Sequence, residues 1–513
     1  MPDSCVSITG RSFVLRGELA LGFDFHERWC ALQKRFVLGL ILVSLTLSSL
    51  SVLSVAQTLR RLKRQPPNGA GVGFLLTDGT VMFQSNSSSD FYKLTPDNTG
   101  SYLNGTWTKL ASLPSGYSPD AFASAVLADG RVVVVGGEYN FGSFVLTNLG
   151  AIYDPIANTW TSLTPPSFWP FIGDSPSAVL PNGKYLVGNK LVRQTAELDP
   201  VTLNWTKLSS AGKADFNAEE GWTLLPEGTV LTADVKRAPN AEKYIRSTQK
   251  WVNASNTIVD LHSPSSFGCL RYGNNMCYFP PGEIGPAILR PDGTVFATGS
   301  TPMGSSTAHT AIYTPGPNPT DPGTWAVGPD FPSGDEAGDS YAALLPNGNV
   351  LVEGVLGRLY EFNGTTLTAG PSGFGSLLVL PTGEIIVGGS SLYTSSGTFS
   401  PSWAPTIATF PSTVVRGSTF SISGTQFNGL SQAAAFGDEF ETATNYPLVR
   451  ITNISTGHVF YARTHDHSTM GVATGSTIVS TNFDVPSGAE TGASTLEVVA
   501  NGIPSSKVNI TVN

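Results

Sequence analysis

Five acidic side chains, Asp120, Asp174, Glu219, Glu283 and Asp339, each stand eight or nine residues before an Xaa-Gly pair in a 513-residue chain. Equal places in a repeat become equal places in a fold, so these carboxylates are expected on one ring. Carboxylates brought together repel one another, and they respond by holding protons or recruiting cations. His465 and His467, in Thr464-His465-Asp466-His467, lie two residues apart and share one face of a strand. If their loop reaches the ring, oxygen and imidazole donors converge. Such a divalent-metal donor set suits Mn, Fe, Zn or Ca and not a thiolate metal. Direct binding of a polyol, a glycan or a cationic ligand is the other chemistry a ring of acids offers. The plainer reading stays open beside these. Acids at strand starts often accept backbone N–H bonds, and a His-X-His commonly stands in solvent. Arg463 is a candidate ion-pair partner for one of the acids.

Other reactive signatures are sparse. Gly173-Asp174-Ser175 and Gly338-Asp339-Ser340 look like a hydrolase Gly-Asp-Ser, but they occupy the same repeat position twice, so repetition explains them better than a nucleophile. The sequence has no Gly-X-Ser-X-Gly elbow, phosphate loop or dinucleotide fingerprint. Cys5 and Cys30 precede a hydrophobic segment, and Cys269 and Cys277 form the only later pair. In an exported chain, Cys269 and Cys277 are read as one small-loop disulfide.

The elements that must position the acids come from a repeat over 66–403. An apolar run, an Asp/Asn/Glu/Thr-Gly pair and a β-branched run recur at Asp78-Gly79, Asp129-Gly130, Asn182-Gly183, Glu227-Gly228, Asp292-Gly293, Asn347-Gly348 and Thr382-Gly383. Asp-Gly and Asn-Gly are what a two-residue hairpin turn asks for, so each unit is expected to open with such a hairpin. A Tyr and then a Trp usually follow, as in Tyr92/Trp107, Tyr153/Trp160, Tyr244/Trp251, Tyr313/Trp325 and Tyr393/Trp403. Trp205 and Tyr360 stand alone in their units, and Gly136-Gly137 and Gly388-Gly389 end second strands. Four strands per unit with these markers is the kelch pattern. Seven copies predict an all-β chain with a seven-bladed kelch β-propeller, its aromatics packed between blades. From 404 to 513 the pattern changes to alternating strands that read as an Ig-like β-sandwich.

Composition agrees. Only 13% of residues are Asp, Glu, Lys or Arg, with 55 Gly and 36 Pro. That excludes coiled coils and helical arrays, and 10% aromatic content excludes a disordered chain. Net charge is −9, and no basic run lies beyond the N-terminus, so no nucleic-acid partner is expected. Residues 36–56 are apolar after Lys34-Arg35 and end in Ser54-Val55-Ala56, which is read as a signal peptide closing an N-terminal extension 1–56. An uncleaved membrane anchor is the alternative, since 21 residues also span a bilayer. Residues 57–65 are read as a basic linker. Sequons at Asn86, Asn104, Asn204, Asn253, Asn363, Asn453 and Asn509 are glycosylation candidates in a secreted protein.

With its repeats, the Val-Leu-Ala-Asp129-Gly130-Arg131-Val-Val-Val-Val-Gly-Gly run and the closing Asn501-Gly-Ile-Pro504-Ser, the chain resembles the galactose oxidase and glyoxal oxidase family over about 66–513. That resemblance implies a propeller with a C-terminal Ig-like early-set domain. It also implies one copper held by two tyrosines and two histidines, one tyrosine being cross-linked to a cysteine. Here the family's positions hold Gly69-Ala70 for the cysteine, Asp120-Ala121 for a tyrosine and Gly338-Asp339 for Tyr-His. Only the C-terminal His has counterparts, in His465 and His467. Radical-copper oxidation is therefore not expected. The readings carried forward are a ligand- or metal-binding exported protein, a metal-dependent oxidoreductase with a rebuilt site, and a structural or adhesive cell-envelope protein using propeller loops for protein contacts.

Overall fold

The computed structural model describes residues 57–264, 270–272, 276–278 and 282–513. All of these fall in one compact unit, Val55–Asn513. The segment 36–56 and Cys269 lie outside the described residues, and with them the signal peptide or anchor and the expected disulfide. Cys277 stands in the strand Met276–Tyr278, which pairs with Leu270–Tyr272. No helix among the described residues is long and apolar enough to cross a membrane.

The described chain is all-β, with many small antiparallel sheets and two 3-10 turns, an architecture consistent with a β-propeller. Among the described residues, seven sheets of four or five strands follow one another. Their innermost strands are Gly73–Leu75, Ala123–Val126, Ser177–Val179, Thr223–Leu224, Ala287–Leu289, Tyr341–Leu344 and Leu377–Val379. These strands are apolar and buried, as parallel layers of a shared core require. The first touches the second and the seventh, so the series returns on itself.

The Xaa-Gly pairs join the first two strands of every sheet, but not as two-residue turns. Leu76 N donates to Thr80 O at 2.8 Å and Gly79 N to Leu76 O at 3.0 Å, and the same pattern recurs at Leu127, Arg131 and Gly130. Only the glycine has positive φ, for example 75° at Gly79 and 82° at Gly383. This is a type I turn with a left-handed third residue, not a type I′ turn with two. The residue before glycine is then free of that constraint, which is why Glu227 and Thr382 are tolerated there. Its side chain holds the loop instead, as when Asp78 Oδ1 accepts from Thr80 N at 3.0 Å.

Tryptophans fasten the second, third and fifth sheets to their predecessors, whereas Trp251 Nε1 of the fourth is buried without an acceptor. Trp160 Nε1 donates to Ala111 O at 3.1 Å, Trp205 to Thr164 O at 2.9 Å and Trp325 to Ala254 O at 2.8 Å. The acceptors lie in or just after the outermost strand of the preceding sheet. Trp107 of the first sheet extends the series by donating to Arg64 O at 3.0 Å. Arg64 follows the strand Thr58–Arg61, which pairs with Ser391–Thr394 and completes the seventh sheet. The stretch 57–65, expected as a linker, thus contains a structural strand. Leu59 opposite Tyr393 supplies the packing, and Arg60 pairs with Glu384.

Strands from Thr406 onward form a second antiparallel system, Thr406–Thr409, Thr419–Thr425, Val479–Asp484, Val459–His465, Leu448–Asn453, Gly492–Ala500 and Val508–Val512 in spatial order. One segment leaves it. Ala434–Phe436 pairs with Tyr341–Leu344 as a fifth strand of the sixth sheet. Small residues make that approach feasible: a Cβ on Gly437 would lie 2.5 Å from Ile284 O, and one on Gly221 would lie 2.5 Å from Gly437 O.

Candidate functional site

The register acids stand two to four residues before the innermost strands, at the end away from the Xaa-Gly turns. Four of them gather with residues of the inserted segment. Ligand oxygens of Asp174, Glu219 and Asp438 lie within 4.8 Å of one another, as do those of Glu283, Asp339 and Asp438. Glu219 and Asp339 sit in left-handed backbone, φ 55° and 50°, a strained choice for residues with a Cβ. Asp120 stands apart: Ser87 Oγ donates to it at 2.8 Å, and it joins neither group.

One ammonium serves this cluster. Lys190 Nζ lies 2.5 Å from Asp174 Oδ2, 2.9 Å from Glu219 Oε1 and 3.0 Å from Glu138 Oε1, with Lys190 only 1% exposed. Asp174 Oδ1 is buried without a partner. Burial raises Asp174 well above the usual carboxylate range, against the pull of Lys190. Burial, then Glu219 and Asp339, pushes Glu283 up to about 10. Asp339 opens to solvent, yet desolvation and then Glu219 hold it at about 6, with a hydrogen bond from Glu283 opposing them. Glu439, buried in the same place, is raised first by desolvation and then by Asp339 and Asp174. The cluster therefore stores protons and favours added positive charge.

The histidines do not join it. His465 ends its strand hydrogen-bonded to Asp466 Oδ2 at 2.7 Å and Asp484 Oδ1 at 3.2 Å. His467 is buried, bonded to Thr481 Oγ1 at 2.9 Å and stacked on Tyr446 at 6.2 Å. The expected convergence fails because pairing of Val459–His465 with Val479–Asp484 fixes both rings at the turn end, where His467 N meets Ala128 O. Arg463 likewise pairs with Asp484 and donates to Asp129 O. Asp438 and Glu439 take the place foreseen for imidazole. Their sequence signal was Gly437-Asp438-Glu439-Phe440-Glu441, three acids in four residues of a charge-poor chain.

Two other expectations resolve locally. Ser175 Oγ donates to Ile172 O and Ser340 Oγ to Gly338 O, so both Gly-Asp-Ser hydroxyls serve backbone. Asn453 is 3% exposed and its Nδ2 donates to Thr491 O, so a glycan does not fit there; Asn86, Asn204, Asn253, Asn363 and Asn509 are exposed and Asn104 half-buried.

No protein-family model and no curated protein matches the chain. Among solved structures, a fungal alcohol oxidase of the AA5 family in complex with copper is similar over 89% of this chain and 98% of its own, at 14% identity and a TM-score of 0.49. A streptogramin B lyase is similar over 68% of this chain and 100% of its own, at 12% identity and a TM-score of 0.45. A virginiamycin B lyase from Staphylococcus aureus covers 66% of this chain and 97% of its own, at 11% identity and a TM-score of 0.42.

The donors here do not fit a radical copper. No described histidine joins the acids: His262 pairs with Asp260, His309 with Asp330, His458 with Glu490 and His465 with Asp466 and Asp484, and His467, its Nε2 buried without a partner, stacks on Tyr446. What gathers is carboxylate oxygen and one ammonium.

Proposed function

We propose that this chain is an exported kelch protein that binds a ligand at an acidic propeller mouth and does not perform radical-copper oxidation. In this reading the seven sheets are blades, Thr58–Arg61 closes the ring, and 404–513 is an Ig-like sandwich that sends one strand along the axis. One observation carries the binding site: Asp174 and Glu219, which hold the buried Lys190 ammonium, and Glu283 and Asp339 form two tight carboxylate groups that share Asp438. A site so rich in acceptors takes hydroxyl-rich or positively charged ligands. The proposal has a concrete test. The purified protein is assayed for bound metals, for peroxide release with alcohols, aldehydes and sugars, and on a neutral-glycan array. Ligand binding that Asp339→Asn weakens tenfold, without copper-dependent peroxide, is the expected result. Peroxide formed with stoichiometric copper overturns the reading.

The Glu283–Asp339–Asp438 group favours one alternative, a metal-dependent oxidoreductase with a carboxylate site. That alternative requires about one equivalent of a divalent ion in the same metal assay.

A further inference from the structure

In each antiparallel sheet the Xaa-Gly turn joins the first two strands at one end. The link from second to third strand and the link into the next sheet therefore lie at the opposite end. Four of these links are built alike. A large apolar residue is followed by a glycine with positive φ: Phe141-Gly142, Met303-Gly304, Leu356-Gly357 and Phe374-Gly375. The apolar residues are 63%, 86%, 71% and 71% exposed. A Cβ on Gly142, Gly304 or Gly357 would have no neighbour within 4 Å, so these tips stand clear of the molecule.

Three of the tips form one ridge across the fifth, sixth and seventh sheets. Glu336 ties the Met303 loop to the Leu356 loop, its Oε2 accepting from Thr301 N and its carbonyl from Val355 N at 2.9 Å. Gly373 N donates to Gly357 O at 3.1 Å and so joins Leu356 to Phe374. Val355, 41% exposed, adds to the same surface. Contiguous apolar surface on this scale marks an interaction site. Buried carboxylates fix the loops from below: Asp335 Oδ1 accepts from Leu356 N at 3.0 Å and Glu353 Oε1 from Gly375 N at 2.9 Å.

The flank of the ridge is basic. A Cβ on Gly388 would lie 2.3 Å from Phe374 O, and two residues on, Ser390 O accepts from Leu62 N at 2.8 Å. Leu62 therefore stands beside the Phe374 loop, and Arg61, Lys63 and Arg64 around it are exposed. Arg358, next to the Leu356-Gly357 tip, is exposed as well. In the sequence, the apolar run 36–56 directly precedes this basic strand. A second copy seated ridge to ridge would set these cations against their like, at a cost of several kcal/mol. Anionic lipid headgroups complement them.

We propose that this end of the fifth to seventh sheets docks on an anionic lipid bilayer, with Met303, Leu356 and Phe374 in the acyl boundary and Arg61, Lys63, Arg64 and Arg358 against the headgroups. Separate protruding tips suit a phase that closes around each of them, and their burial adds to headgroup attraction. The proposal goes beyond ligand binding at the acids and does not rest on it.

Sedimentation with vesicles tests it. The chain 57–513, all of it within the compact unit Val55–Asn513, is used, because the apolar run 36–56 would itself enter lipid. Vesicles of equimolar phosphatidylcholine and phosphatidylserine should carry the protein down, and high salt should release most of it. Leu356→Ser with Phe374→Ser, and separately Arg61→Gln with Lys63→Gln, should each weaken binding about tenfold. Val201→Ser should leave binding unchanged, since Val201 is 87% exposed but lies in a turn at the opposite end, where its N donates to Asp199 Oδ1. All five positions are exposed, so melting temperatures should match the parent, which separates lost docking from lost folding. A parent that stays in the supernatant, either double variant binding as the parent does, or an equal loss in Val201→Ser overturns the proposal. A parent that dimerises through Leu356 and Phe374 and ignores vesicles also overturns it, and assigns the ridge to a second copy.

Discussion

His467 and Lys190 are both buried ionisable groups, resolved in opposite ways. Lys190 keeps its charge because three carboxylates surround it. His467 has only Thr481 and the face of Tyr446, so burial pushes it down to about 3. The folded chain thus holds a neutral ring where the unfolded chain protonates near 6.5. The stability that this group contributes is intact above about 6.5 and is lost as pH falls toward 3, by about 2 kcal/mol at pH 5. His467→Gln should therefore flatten the acid limb: urea midpoints at pH 7.5 and pH 5.0 should differ less than in the parent. An unchanged difference would show that another group governs acid unfolding. At this scale the sequence identified four of the acids that gather, because a repeat places equal positions equally. It misassigned His465 and His467. Alternation told which face of a strand they share, but only pairing with Val479–Asp484 decided at which end of the molecule that strand lies.

The sheets were legible as elements because their determinants are local: a left-handed glycine after each apolar run and a tryptophan on most outer strands. Two elements escaped. Thr58–Arg61 is too basic to resemble a strand, and its partner Ser391–Thr394 lies at the far end of the repeat. The inserted strand Ala434–Phe436 shows no alternation, since alanines are chosen there to let two backbones approach. That crowding is testable. A Cβ at Gly437 would meet the Ile284 carbonyl at 2.5 Å, backbone that cannot swing aside. Gly437→Val should cost about 1–3 kcal/mol by overpacking and displace Asp438 and Glu439 from the carboxylate cluster. Gly457→Ala is the control. Its Cβ would meet open space, so only the positive φ of 73° is felt, at about 1 kcal/mol. Denaturant unfolding read alongside ligand titration should show stability and binding failing together in the first variant and binding intact in the second. Full binding by Gly437→Val would detach the inserted strand from the site.

For the whole molecule, the insertion joins two halves that the sequence divides cleanly at 404. Contacts at the turn end add to it: Arg463 Nη2 to Asp129 O at 2.6 Å, Met470 N to Pro181 O at 3.1 Å, and Tyr446 Oη to Leu75 O. The C-terminal strands thus grip the turns of the first three sheets while their inserted strand forms an edge of the sixth. Independent domains unfold separately, whereas units sharing a sheet and buried polar contacts lose them together. Scanning calorimetry should give one transition for residues 57–513, with a calorimetric enthalpy on the order of 300 kcal/mol near 60 °C and a matching van't Hoff value. A sandwich melting alone would appear as a separate step of roughly 80 kcal/mol. A chain ended at 403 should fail to give a soluble folded product, because it leaves the strand Tyr341–Leu344 without its edge partner and both carboxylate groups without Asp438. Two resolved transitions, or a soluble 57–403 fragment that still binds ligand, would mean that the acids of the repeat suffice and that the inserted strand merely fills the axis.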